Sequence, residues 1–210
     1  VWTTLRTALP FAVSLGLALV YGQAALAIVA GELGGAAAGI YAPAINVTNA
    51  LFLIPIAIFE VMVPILSRGH ARSQAWVRRV SLRLLPIMMV VGVALGIALV
   101  LASRPLVLLL YGPAYSASVE VLATLGGALA LHCPTIALAA VLVAVGWQVR
   151  RVGVQAVAAA LNVALTFSFV QRLGVLGVAK VYVASELVLL LGYLGLFILW
   201  MRNKKAVANP

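Results

Sequence analysis

Six long apolar runs alternate with short polar stretches along the chain, at residues 7–30, 40–66, 82–102, 118–146, 151–170 and 175–200. A transmembrane helix needs about 20 predominantly apolar residues, and each run reaches that length. The stretches Glu32 to Gly35, Ser67 to Leu82, Ser103 to Ala117, Gly146 to Arg151 and Gln171 to Gly174 separate them. Strands of a membrane barrel would alternate polar and apolar positions over about ten residues, whereas these runs are continuous. The pattern predicts an all-α polytopic membrane protein, a single six-helix lobe spanning residues 1–210.

Composition agrees with the pattern and removes other classes. The chain is 65 % hydrophobic and 9 % charged, where a soluble domain carries about 45–50 % apolar and about 25 % charged residues. A soluble enzyme, a disordered tail and a secreted disulfide scaffold are excluded. Lys and Arg number 14 against 4 acidic residues, all of them Glu. The bases lie between the apolar runs, with none of the aromatic interleaving of a nucleic-acid surface, so no nucleic-acid partner is expected. The single cysteine, Cys133, lies inside an apolar run and permits neither a disulfide framework nor a Cys-based metal site. The chain opens at Val1 rather than Met, and its first run is too long for a signal peptide. A fragment or a processed chain is therefore expected.

The positions of the bases orient the helices, because cytoplasmic loops of helical membrane proteins are enriched in Lys and Arg. With the N-terminus inside, the inner segments hold Arg6, the Arg68–Arg83 cluster, Arg150, Arg151, Arg202, Lys204 and Lys205, and the outer ones only Arg104 and Arg172. Both termini are then cytoplasmic, with residues 201–210 as a cytoplasmic tail. Residues 67–82 read as a basic amphipathic segment on the inner surface, with Trp76, Val77 and Val80 toward the acyl boundary and Arg72, Arg79 and Arg83 toward lipid phosphates. The alternative is a basic loop that only sets topology. Outside, Pro105 to Leu110 reads as a short half-helix closed by the Tyr111-Gly112-Pro113 turn.

Polar residues inside the apolar runs carry the functional information, since they are tolerated there only facing protein or water. Lys180 either lines a polar cavity that attracts an anionic head group or snorkels to the outer surface. Glu186 lies too deep to snorkel and is expected to bond across helices, as a structural clasp or a substrate contact. Glu60, flanked by Pro55 and Pro64, is a gate or coupling candidate or else a carboxylate satisfied near the inner interface. Asn46 and Asn49 line a cavity or bond neighbouring helices. His132 is a proton-relay candidate or a neutral histidine bonded at a Pro134 break. Gly92-x-x-x-Gly96 permits close helix approach. No nucleophile elbow, phosphate loop, paired carboxylates or zinc constellation appears in the sequence, so no catalytic residue, cofactor or metal is expected.

Nearly the whole chain resembles the C-terminal half of the bacterial polysaccharide flippases of the multidrug/oligosaccharidyl-lipid/polysaccharide transporter superfamily. The resemblance rests on an ordered series: Leu5-Arg6-Thr7-Ala8-Leu9-Pro10-Phe11, Gly39-Ile40-Tyr41-Ala42, Pro64-Ile65-Leu66-Ser67-Arg68, Tyr111-Gly112-Pro113-Ala114-Tyr115, Gly146-Trp147-Gln148, Asn162, Gly174-Val175-Leu176-Gly177 and Ser185-Glu186. It implies one lobe of an alternating-access transporter that carries an undecaprenyl-pyrophosphate-linked oligosaccharide across the bacterial inner membrane. It also implies a partner: a missing N-terminal six-helix lobe or a second copy. Arg6, Gln23, Asn46 and Lys180 would line the head-group route, where basic groups suit a pyrophosphate, and Glu60 and Glu186 would gate or couple. Many relatives carry Arg and Asp shortly after the tyrosine of this first helix. Here Tyr21 is followed by Gly22, Gln23, Ala24 and Ala25, so that charged contact is missing.

Other readings compete with this one. A related transporter, either a peptidoglycan lipid precursor flippase or a multidrug/cation antiporter, shares the architecture, although the lack of Asp disfavours a sodium-coupled antiporter. A non-transporting scaffold would recruit a polysaccharide polymerase through the basic inner surface. A membrane enzyme would need acid and base groups gathered at one membrane face, and the carboxylates are scattered.

Overall fold

Membrane hydrocarbon offers no water to a backbone N–H or C=O, which confines such a chain to hydrogen-bonded helices. A computed structural model describes residues 2–203, with side chains at Leu9 and from Phe11 onward. Among these residues no strand forms. Helices α1 (Trp2–Leu33), α2 (Gly35–Arg72), α3 (Gln74–Leu110) and α4 (Ser118–Ala144) precede one helical stretch, Gln148–Arg202.

That last stretch holds 55 residues. Straight, it would run about 83 Å at 1.5 Å per residue, far beyond a hydrocarbon core of about 30 Å. Gly174 interrupts it at φ 61° and ψ −163°, a backbone that costs glycine little because it has no Cβ. The halves, α5 (148–173) and α6 (175–202), fold back on each other. Asn162 Nδ2 donates to Ser185 Oγ at 3.1 Å, and Val154 packs on Gly192. Five helical stretches are long and apolar enough to cross a membrane, and the Gly174 hairpin turns them into six rods.

The core rod is α4. Its most apolar window is 67 % buried, against at most 33 % in the other stretches, and α2, α3 and α6 surround it. On the α3 side the approach is backbone to backbone: a Cβ added at Gly96 would lie 2.7 Å from the Gly126 carbonyl oxygen and 2.9 Å from Ala130 Cβ. The Gly92-x-x-x-Gly96 pair thus does what its spacing suggests. Phe52 on α2 and Glu186 on α6 meet α4 at His132. Helix α1 runs parallel to α5, with Ser14 beside Gln155 and, 18 residues further along α1, Glu32 beside Gln171.

Three local expectations are corrected. Residues 67–82 form no separate surface segment, because α2 and α3 meet at the single residue Ser73, whose hydroxyl accepts the Trp76 N–H at 3.3 Å and starts α3 at once. Val77 and Ser81 consequently face protein rather than lipid, both being buried. Arg78 donates to the Asn203 carbonyl at 3.2 Å and lies over the Trp200 ring, a cation where the α6 dipole is negative. Second, Pro105 to Leu110 is the end of α3 itself, with Val107 fully buried. Third, α4 runs unbroken through Pro134; proline's missing donor frees the Ala130 carbonyl, the group packed against Gly92.

Replacing Gly96 with Ala should destabilise the bundle by about 1–3 kcal/mol, the usual cost of overpacking, whereas Gly16→Ala, with nothing within 4 Å of its added Cβ, should not. Thermal unfolding of the two variants in detergent compares them directly.

Candidate functional site

Two polar clusters lie inside the bundle. The central one is built from five helices. Glu186 on α6 is 1 % exposed, and its Oε2 lies 3.3 Å from His132 Nδ1 on α4. Phe52 of α2 stacks on the imidazole, with ring centroids 4.0 Å apart and planes 16° apart. One turn before Glu186, Tyr182 meets Tyr21 of α1 at 5.0 Å between centroids. Beside Glu186, Ser185 Oγ accepts from Asn162 of α5 and donates to the Val181 carbonyl at 2.8 Å. The hydroxyls of Tyr21 and Thr166, His132 Nε2 and Asn162 Oδ1 are buried without a protein partner.

Chemistry constrains this cluster. Two bare acceptors at 3.3 Å would repel, so Glu186 and His132 share at least one proton. His132–Glu186 is the only ion pair among the described residues, and an isolated carboxylate in this environment would cost several kcal/mol. The pair therefore links α4 to α6. Among the described residues no group of three or more His, Cys, Asp or Glu gathers to hold a metal ion.

The second cluster ties α1 to the start of α5. Arg151 Nη2 donates to Ser14 Oγ at 2.6 Å and Nε donates to Gln148 Oε1 at 3.0 Å. Ser14 Oγ donates to Gln155 Oε1 at 2.7 Å, and Gln155 Nε2 donates to the Ser14 carbonyl at 3.0 Å. At the opposite end Gln171 Nε2 donates to both the carbonyl and the carboxylate of Glu32, at 2.8 and 2.9 Å.

The residues expected to line a head-group route are not gathered inside the lobe. Gln23, Asn46, Glu60 and Lys180 are all exposed on the outside of the bundle, and the Arg6 side chain lies outside the described residues. Gln23 and Asn46 stand 11 and 12 residues from the Gly34 turn, hence at one height along the α1–α2 hairpin, and both are exposed. Lys180 points elsewhere. It lies two residues from Tyr182, and Gln23 two residues from Tyr21, which places each about 200° around its helix from the ring contact joining α1 to α6. Gln23 and Lys180 therefore leave the bundle in opposite directions. Of the named residues only Glu186 joins an internal polar cluster.

The Arg151 cluster was not expected from the sequence, where Arg150 and Arg151 read as topology charges. Its signal was a serine and two glutamines near the ends of apolar runs, with nothing to indicate that the first and fifth helices lie side by side.

A family model described as polysaccharide biosynthesis protein matches residues 4–120 of this 210-residue chain, from α1 to the first turn of α4. The motifs of the second half, from Gly146 to Glu186, lie beyond that match. No curated protein and no solved structure matches the chain.

Removing either partner of the buried pair should cost about 1–3 kcal/mol, because the other is left unsatisfied. His132→Phe combined with Glu186→Leu should cost less than the sum of the single changes. Unfolding midpoints of the four proteins in detergent close that cycle.

Proposed function

We propose, from the premise that this chain belongs to the polysaccharide biosynthesis protein family, that it forms one lobe of a flippase in the bacterial inner membrane. Its cargo is an undecaprenyl-pyrophosphate-linked oligosaccharide, carried by alternating access for cell-surface polysaccharide export. Family and helices together make it a transporter-type membrane protein of polysaccharide biosynthesis. The finer reading rests above all on one observation: Gln23, Asn46 and Glu60 project outward from helices otherwise built to meet hydrocarbon.

A charged side chain facing lipid at the helix centre costs about 2.5–3.5 kcal/mol even on the mildest scale. Such a surface is relieved by a water-filled crevice against a second bundle, either an N-terminal six-helix lobe or a second copy of this one. In that arrangement Gln23 and Asn46, at one height, contact the sugar-pyrophosphate head, Arg6 draws it in from the cytoplasmic side, and the polyprenyl tail stays in lipid. Lys180, on the other side of the lobe, reaches up to outer-leaflet phosphates. Glu60 lies on the crevice-facing side of α2 and acts in gating. Glu186 acts in coupling, through the proton it shares with His132.

The test is flipping by the complete transporter in liposomes, read as protection of a fluorescent lipid-linked oligosaccharide from an external quencher. Gln23→Ala and Asn46→Ala should each slow flipping about tenfold, the loss of a hydrogen bond to a charged head group, with thermal stability unchanged. Lys180→Ala should flip normally. Absence of flipping by the unaltered transporter would favour the scaffold, and normal flipping by both cavity variants would remove their assignment.

A further inference from the structure

The Arg151 cluster has features that its internal bonds leave unused. Among the described residues Arg151 is a half-buried cation facing neutral groups: Ser14, Gln148, Gln155 and, from α6, the Tyr193 hydroxyl. A guanidinium carries five N–H donors in a planar fork. Two of them are engaged here, by Ser14 and Gln148. Because Arg151 can only donate, its bond to Gln148 fixes that amide with the oxygen toward the guanidinium. Gln148 Nε2 is then left as a donor. Gln148 is 8 % exposed, and its Nε2 is buried without a partner. The first-turn N–H groups of α5, which begins at Gln148, add unpaired donors and the positive end of a helix dipole. The unused valences of the Arg151 fork, of Gln148 Nε2 and of the first turn of α5 are all donors.

Position narrows what such a corner receives. Arg151 opens the apolar run 151–170, so the guanidinium lies at the end of a membrane-length run. Trp147, at the head of α5, carries the Arg150 guanidinium at 4.0 Å over its ring, an amphipathic aromatic of the kind that settles at head-group level. Below the cluster, Leu15 and Leu19 on α1 and Val157 and Leu161 on α5 expose apolar surface. Donors at head-group depth above an apolar helix surface match a phosphate joined to acyl chains.

We propose that the α5 N-terminus, Gln148 and Arg151 form a binding site for the phosphate of an anionic phospholipid in the base-rich leaflet, with its acyl chains along α1 and α5. The bound lipid fastens the first helix of the lobe to the fifth. The site is separate from the head-group route of the flippase reading and stands whether or not that reading holds.

Short-chain phosphatidylglycerol, short-chain diacylglycerol and inorganic phosphate, each titrated into the full chain in detergent, test this through the thermal unfolding midpoint. Native mass spectrometry reads retained phosphatidylglycerol in parallel. The unaltered protein should be stabilised by phosphatidylglycerol and not by diacylglycerol. Arg151→Gln and Gln148→Leu should each weaken the apparent affinity about tenfold, as expected for loss of a charge-assisted or buried donor, while Arg79→Gln on the same rim leaves it unchanged. Gln148→Leu preserves the Arg151–Ser14–Gln155 bonds, so it reports on lipid even if Arg151→Gln fails to fold. Equal affinity in both variants and the unaltered protein would overturn the site. Equal stabilisation by inorganic phosphate would overturn its assignment to lipid.

Discussion

Lipid tails are as apolar as leucine, so burying a leucine between two membrane helices gains little over leaving it in the bilayer. That constraint governs how this lobe holds together. Cohesion has to come from close backbone approach and from polar contacts that hydrocarbon cannot replace, and α4 concentrates both. One side of it presents Gly126 and Ala130 to Gly92 and Gly96 of α3. The other presents His132 to Phe52 and Glu186. Any longer side chain at the glycine crossing would move α4 away from α3 and shift His132 relative to its partners. The packing seam and the polar cluster are therefore mechanically one device.

The same constraint separates the polar residues into two kinds. Asn162, Ser185, Glu186 and His132 are turned inward and satisfy one another across helices. Gln23, Asn46 and Glu60 are turned outward and find no partner in the lobe's own interior. Inward groups define how the rods pack. Outward groups define what the lobe is built to face, and a surface of that polarity belongs against water or another protein. The lobe so carries unsatisfied polar groups on its outside and a proton-sharing contact on its inside.

Much of the fold was legible because a continuous apolar run of membrane length has one structural solution. All six rods were marked by such runs, and the Gly174 turn by Gln171 to Gly174. What stayed hidden follows from the limits of local pattern. Arg78, Arg79 and Arg83 disguised the first turns of α3 as a surface element, since arginine at a helix end looks the same whether it meets lipid phosphate or caps a neighbouring helix as Arg78 does. Pro105 and Pro134 read as breaks, yet both sit inside helices, where neighbouring side chains and tight packing absorb the lost donor. The outward direction of Gln23 and Lys180, and the meeting of Ser14 with Arg151, depend on which helices are neighbours. Hydropathy does not encode that, because every rod is apolar on most of its faces.

Helix adjacency also decides how α1 is held to the rest of the lobe. Helix α1 touches the lobe through the Tyr21–Tyr182 ring pair, through the polar ties Ser14–Arg151 and Glu32–Gln171 on either side of it, and through an apolar face on which Ala25 and Val29 are fully buried. Aromatic rings 5.0 Å apart tolerate sliding, whereas the directional bonds on either side of them resist it. Gln23 is two residues from Tyr21, and a Cβ added at Gly16 or Gly22 would meet nothing within 4 Å. The outward face at Gln23 and the interior pair are close along this path: Tyr21 lies two residues from Gln23, and Tyr182 one turn from Glu186.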